Sequence, residues 1–306
     1  MFKKMLFATT ASPVCDAVAK IAFELGQKYS AELIVCHVYG PSGHDSNFSH
    51  TDDSADVSTK GEHTQNTDSI DRIKDEMQAT YAALIKKHGQ PRFEIPSGDP
   101  AARILQLAEK ENVDCILMGP HTRQEDTADE RFRGIAGTTL QKVTQRARCP
   151  VLVVSRPCET CFWYFNKIIF GTDFSDASMA AFQFAFNLAK TIGCKLYIFH
   201  ALDINATQAG ILPGQTTIEN RIKAAKTRIE EDYICKIGDF DNFEITIWEG
   251  VPYVELLKFA REISGDLIVM AHHTESNDQN KALLGTTVEQ VILRSACPVA
   301  SVNPSL

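Results

Sequence analysis

Apolar residues along this chain fall into two alternating rhythms. Short runs with little polar interruption occur at Met5–Ala8, Leu33–Val38, Val113–Met118 and Val151–Val154, and again at Ile168–Gly171, Leu196–Ala201, Asp266–Met270 and Pro298–Val302. Arg92–Pro96 and Phe243–Trp248 complete each set as third strands. Between them the apolar positions adopt helical spacing, over Asp16–Tyr29 and Ser178–Ile192, and over Ile70–His88 and Ile218–Lys236. Gly98-x-Pro100 and Gly250-x-Pro252 each announce a further helix, because proline presets φ for a first turn. Strands that are apolar on both faces and separated by helices predict parallel sheets covered on both sides. The expected fold class is therefore α/β, with two doubly wound five-stranded parallel sheets (Rossmann-like, order 3-2-1-4-5) in tandem.

The tandem reading rests on repetition. Phe7-Ala-Thr-Thr-Ala-Ser12 aligns with Phe170-Gly-Thr-Asp-Phe-Ser175, and Leu33–His37 with Leu196–His200, at an offset of 163. Gly98-Asp-Pro100 aligns with Gly250-Val-Pro252, and Met118–Thr122 with Met270–Thr274, at 152. Gly137-Thr-Thr139 aligns with Gly285-Thr-Thr287, and Cys149-Pro-Val151 with Cys297-Pro-Val299, at 148. The falling offset means that the first half carries two insertions, of 11 and 4 residues. We expect a first domain over 1–155, a linker over 156–165 and a second domain over 166–306. Tyr39–Ser69 is rich in Ser, Thr, Asp, His and Gly and poor in large aliphatics, so it reads as a mobile surface loop that cannot offset its own ordering entropy.

Composition narrows the function classes. At 44% hydrophobic and 23% charged, 306 residues suffice for two cores. A net charge of −8 offers no global field for nucleic acid or an anionic membrane. No apolar run approaches the roughly 20 residues of a membrane span. The opening Met1-Phe-Lys-Lys-Met-Leu-Phe-Ala8 imitates a signal peptide, but its apolar run is too short. Nine scattered cysteines suit reduced thiols, so a cytoplasmic location is expected.

In an open parallel sheet, ligands bind beyond the carboxyl ends of strands where the winding reverses. That crevice is framed by Thr9–Ser12 and Met118–Thr122 in the first half and by Thr172–Ser175 and Met270–Thr274 in the second. Beside it, Gly137-Thr138-Thr139 and Gly285-Thr286-Thr287 place a glycine, two hydroxyls and backbone N–H groups at a helix start. Such a start suits phosphate oxygens. The plainer reading is ordinary capping by threonine, and both stay open.

These residues together resemble the universal stress protein family in its tandem two-domain form, and the resemblance covers both halves. Members that keep a pattern of glycine, two residues, glycine, nine residues, then glycine and Ser or Thr bind ATP. The resemblance implies an Asp after the first strand that meets adenine or ribose. It also implies backbone groups flanking the base, here at Val38 and Met118 in the first half and at Ala201 and Met270 in the second. Neither half is complete. The first keeps Gly119, Gly137 and Thr138, but has Thr122 for the second glycine, with 14 residues between it and Gly137, and Thr10 for the aspartate. The second keeps Asp173 beside Thr172, and Gly285 and Thr286, but has Ala271 and Thr274 for the two glycines, with 10 residues after Thr274. A lost glycine puts a Cβ where a backbone should approach phosphate. Arg123, Arg131 and Arg133 in the longer first loop could clamp phosphate instead, or belong to a solvated loop of alternating charge. The implied ligand is an adenine nucleotide, ATP or AMP with or without magnesium, at one or both domains.

Other chemistry has less support. Cys158-x-x-Cys161 is half of a zinc site and reads as two linker thiols. His121, His272 and His273 border the crevice, His37 and His200 end strands, and hydrogen bonding is the expected role of each; no metal site is expected, His44, His50 and His63 of the polar loop included. No GxxxxGK[ST] loop or nucleophile elbow is present, so catalysis is not expected, slow ATP hydrolysis aside. Two functions follow: a nucleotide-responsive regulatory module in stress response, or a scaffold with degenerate sites acting through dimerisation or protein partners. The apolar fifth strands need a partner. The family pairs such strands antiparallel, which predicts a pseudo-dimer within the chain and permits a further homodimer.

Overall fold

The computed structural model describes residues 2–12, 15–40, 62–119, 138–155, 165–203, 214–272 and 286–303. The first half runs β1 (Lys4–Ala8), α1 (Asp16–Tyr29), β2 (Glu32–Cys36), α2 (Glu62–Thr80), α3 (Ala82–His88), β3 (Arg92–Glu94), α4 (Pro100–Glu111), β4 (Cys115–Met118), α5 (Thr139–Arg146) and β5 (Val151–Val153). The second runs β6 (Lys167–Thr172), α6 (Asp176–Ile192), β7 (Lys195–Leu202), α7 (Gln215–Asp232), β8 (Phe243–Glu249), α8 (Pro252–Glu262), β9 (Leu267–Ala271), α9 (Thr286–Arg294) and β10 (Val299–Val302).

All ten strands form one sheet in the order β3-β2-β1-β4-β5-β10-β9-β6-β7-β8. Within each half the order is 3-2-1-4-5 and every pairing is parallel. The halves meet through one antiparallel pair, with Leu152 opposite Ala300. Beyond that seam Ser155 Oγ donates to the Ile292 carbonyl, and Asn303 Nδ2 donates to the Gln145 carbonyl at 2.7 Å. Ser155 and Asn303 are repeat equivalents, so each half clasps the last helix of the other.

Pleating sorts the strand side chains into two layers. Met5 and Phe7 face α1, Tyr81, α6 and Ile229 in a core that includes Phe170 and Phe182. Leu6 and Ala8 face α4, α5, α8 and α9 in the other, with Ile169 and Phe259. Both cores take residues from both halves. Each half also pins its first strand with a buttressing aspartate: Asp114 Oδ2 accepts from the Lys3 and Lys4 N–H groups at 2.5 and 2.8 Å. Asp266 Oδ2 accepts from Asn166 and Lys167 at 2.8 and 2.9 Å.

The Gly-x-Pro signals have a conformational cause. Gly98 and Gly250 take φ of +128° and +140°, a region for which only glycine is suited. Pro100 and Pro252 then open α4 and α8, with Asp99 capping α4 by accepting from Ala102 N at 2.9 Å. Two expectations change. The polar stretch read as a loop to Ser69 already turns helical at Glu62, since a helix satisfies its own backbone groups without needing a run of aliphatics; residues 41–61 lie outside the described residues. The single helix expected over Ile70–His88 is interrupted at Tyr81, whose ring packs beside Phe7 and Phe23, at centroid distances of 5.9 and 6.1 Å.

Candidate functional site

At the carboxyl edge β1 and β6 each run into a tight turn toward the following helix. A non-glycine residue in the left-handed region sits in each, Ala11 at φ +56° and Phe174 at φ +62°. Such a conformation costs on the order of 1–3 kcal/mol and needs bracing. The brace is the same in both halves. The Thr9 hydroxyl accepts from Ala11 N at 2.9 Å and shares a 2.6 Å hydrogen bond with the Tyr81 hydroxyl. The Thr172 hydroxyl accepts from Phe174 N at 3.0 Å and shares a 2.6 Å bond with Tyr233. His37 Nδ1 donates to the Thr9 carbonyl at 3.0 Å, and His200 Nδ1 to the Thr172 carbonyl at 2.9 Å. A carbonyl can only accept, so these bonds put the proton on Nδ1. Burial lowers the His200 pKa and raises those of both tyrosines, so all three are uncharged near neutral pH.

The two clefts differ in charge. Asp173 Oδ1 accepts from Ser175 N at 2.9 Å, from Ser175 Oγ at 2.6 Å and from Ser178 Oγ at 2.7 Å. Partial desolvation pushes its pKa up, but the hydroxyl and N–H donors of Ser175 and Ser178 together outweigh it and hold the carboxyl below its ordinary value. Its second oxygen has no hydrogen-bond partner among the described residues. In the first half Thr10 takes this place, its hydroxyl 2.9 Å from Ser12 Oγ and 3.5 Å from Cys15 Sγ. The constellation is preserved there without the charge.

Of the other expected residues, Met118 and Met270 are buried in the strands facing α4 and α8; the Met118 carbonyl accepts from Val154 N at 3.0 Å, and Met270 pairs with Gly171 and Ser301 within the sheet. Val38 and Ala201 are half-buried beside the cleft. Gly119 follows β4, where a Cβ would lie 3.6 Å from Val18, an ordinary contact that makes no steric demand for glycine. Ala271 is buried within β9, opposite Val302. The Thr138 hydroxyl caps α5 by accepting from Gln141 N at 3.2 Å, so that hydroxyl does what capping requires. Thr139 and Thr287 are half-buried in the first turns of α5 and α9. Thr286 opens α9, its side chain outside the described residues. Thr122, Arg123, Arg131, Arg133, Gly137, Thr274 and Gly285 also lie outside them, with His121, His273, Cys158 and Cys161.

Tyr81 and Tyr233 were not among the expected residues. The repeat could have found them, because they stand 152 apart, the offset of the Gly-x-Pro pair. Among the described residues no group of three or more His, Cys, Asp or Glu is placed to hold a metal ion. No helix among them is long and apolar enough to cross a membrane. Burial pushes the thiols of Cys36 and Cys149 up to about 12, which removes thiolate reactivity at neutral pH.

Comparison with known proteins agrees with this architecture. Residues 1–155 and 165–303 each match the universal stress protein family. A universal stress protein of Methanocaldococcus jannaschii is 31% identical over 143 residues, spanning 45% of this chain and 82% of that protein. One from Thermus aquaticus is 30% identical over 156 residues, spanning 50% of this chain and 99% of that protein. The crystal structure of a universal stress protein from Archaeoglobus fulgidus aligns with a TM-score of 0.63 at 21% identity, covering 98% of this chain and 96% of that one. The chain belongs to the universal stress protein family, with the family fold written twice.

Proposed function

We propose that this tandem universal stress protein is a regulatory module that binds an adenine nucleotide, ATP or AMP, at its carboxyl-edge clefts, and is not a catalyst. The observation that carries the reading is Asp173: three donors fix one carboxylate oxygen, leaving the other to accept from sugar hydroxyls or a base amine. The cleft lies where an open sheet reverses its winding, the usual ligand position for such folds. The second half is thereby suited to read the nucleoside. In the first half, the start of α5 after Gly137 and the arginines of the preceding loop are suited to phosphate. Magnesium would accompany a triphosphate; none of the carboxylates above is assigned to it.

The test combines mass spectrometry of the purified protein with thermal melting. AMP or ATP at about 100 times its Kd should add about 2.7 kcal/mol of stability, and Asp173→Asn should remove most of that gain. Absence of co-purified nucleotide together with an unmoved melting temperature at millimolar AMP and ATP would overturn it. The scaffold reading is favoured by Thr138, whose hydroxyl caps its own helix, and the same result would support it. As β5 and β10 already cover each other, any homodimer would use a different surface.

A further inference from the structure

The two outermost strands of the sheet end it differently. An edge strand offers unpaired N–H and C=O groups, and proteins blunt such edges by shortness, proline or charge. In the first half β3 has all three devices. It is three residues long, lies between Pro91 and Pro96, and carries Arg92, which Glu111 holds at 2.8 Å and Glu32 and Glu94 at 3.3 Å each. In the second half β8 runs seven residues, Phe243-Glu-Ile-Thr-Ile-Trp-Glu249, with no proline, lysine or arginine. Phe243, Ile245 and Ile247 are half-buried under α7, and Thr246 and Trp248 are half-buried on the opposite face. Two residues past the strand, Val251 is 38% exposed at the start of α8, where its repeat equivalent Asp99 caps α4.

Among the described residues the ladder partner of β8 is β7. The Asn242 carbonyl accepts from Leu196 N, and Gly250 N donates to the Leu202 carbonyl, so the even-numbered groups turn to β7. By the twofold period of a strand, the N–H and C=O groups of Phe243, Ile245, Ile247 and Glu249 face outward.

We propose that the outer edge of β8 is the surface through which two copies of this chain dimerise, β8 pairing antiparallel with its copy about a twofold axis at Thr246. The strand's pattern reads nearly alike in both directions from that residue. Ile245 lies opposite the partner's Ile247, and each outward residue donates and accepts one bond across the axis. No carboxylate faces another: Glu244, held by Lys195 at 2.7 Å, meets the partner's Trp248, and Glu249 meets the partner's Phe243. An axis at Ile245 would set Glu249 opposite the partner's Asp241, and an axis at Ile247 would shorten the ladder. The helix above the strand agrees. α7 lies over β7 and β8, so at a strand spacing of about 4.8 Å two copies of it come within about 10 Å, ordinary helix packing. Its inner flank is marked by Arg228, which reaches the Phe174 carbonyl. The outer flank carries Glu219, Lys223, Lys226 and Glu230, all exposed. Two lysines between two glutamates form a row that antiparallel copies interleave with opposite charges adjacent.

The test is sedimentation of the full chain from about 1 to about 100 μM, joined to amide hydrogen exchange. A monomer–dimer equilibrium is expected. The Ile245 and Ile247 N–H groups should be protected at high concentration and exchange freely on dilution, while those of Glu244, Thr246 and Trp248, bonded to β7, stay protected at both. Thr246→Lys and Thr246→Glu each set like charges across the axis and should give monomers with unchanged far-UV dichroism. An equal mixture of the two should restore the dimer. Lys226→Glu, on an exposed turn of α7, should weaken dimerisation about tenfold. A monomer throughout, a dimer that all three variants leave intact, or a mixture that stays monomeric would overturn the proposal. So would protection of Ile245 and Ile247 at every concentration, the sign of another segment of the same chain lying on the strand. The outcome does not depend on whether the carboxyl-edge clefts bind nucleotide.

Discussion

The turn after the first strand occurs twice, and the two copies share one brace but not its surroundings. In both, a threonine hydroxyl, a buried tyrosine and a histidine hold the backbone in a left-handed bend. The second copy adds an outer layer. The Phe174 ring packs on His200 at 4.4 Å, Arg228 lies 4.7 Å over that ring, and Arg228 Nη2 donates to the Phe174 carbonyl at 2.9 Å. In the first copy Ala11 replaces the ring and Glu76 replaces the arginine, turned instead to Arg72 at 3.1 Å. The hydrogen bonds that fix the backbone are common to both copies, and the side chains that set the charge at the cleft have diverged. Geometry is shared because an unbraced bend is costly; charge is free to vary because it takes no part in the brace.

The largest test of this comparison is at the Gly-x-Pro turns. Alanine at Gly250 would put Cβ 2.8 Å from Glu255, a side chain tied to Lys258 at 2.8 Å, whereas at Gly98 it would meet Arg103 Nε at the longer distance of 3.0 Å, itself donating to the Ser97 carbonyl at 2.7 Å. Urea unfolding should show a loss of about 2–3 kcal/mol for Gly250→Ala and about 1–2 kcal/mol for Gly98→Ala. Equal losses would mean that the neighbours do not matter and only φ does. Next in size, Tyr81→Phe and Tyr233→Phe should each cost about 1–2 kcal/mol, since each strips a buried threonine hydroxyl of its partner. A gap between them above about 1 kcal/mol would break the equivalence of the two braces.

The smallest effect separates the halves by pH. Hydrogen bonds from Arg92, then from Lys4, hold the Glu111 carboxyl down at about 2 against an ordinary 4.5. The second half has Ile263 there, whose carbonyl takes the Lys167 ammonium at 2.6 Å. A carboxyl depressed in the folded state stabilises it above its unfolded value, and that contribution fades as pH falls from about 4.5 toward 2. Glu111→Gln should lower the urea midpoint at pH 7, with the two curves converging toward pH 2 and the difference shrinking in high salt. Curves that stay parallel down to pH 2 would show that the network adds nothing in the folded state.

Strands that are buried on both faces announce themselves as unbroken apolar runs, so the element order was legible in the amino-acid order. So was the duplication, since the six landmarks keep their sequence. The start of α2 was not legible, because a polar helical turn and a polar loop have the same composition. Tyr81 and Tyr233 looked like apolar positions on amphipathic helices; their hydroxyl chemistry appears only where the helix meets the turn. The β1 and β6 turns were legible through the repeat, while Thr138 keeps both of its readings, since a hydroxyl that accepts from Gln141 N still has its own proton to donate.

By itself the sequence determined what is local: the alternation of strands and helices, the glycine-dependent turns and the twofold writing of one unit. These follow from periodicity and φ preferences acting over a few residues. Tertiary structure alone decided which distant groups meet. Thr9 finds Tyr81 across 72 residues, and Ser155 reaches a carbonyl 137 residues on. Such contacts depend on how helices dock against the sheet, a matter of packing angle and side-chain volume that no local pattern encodes.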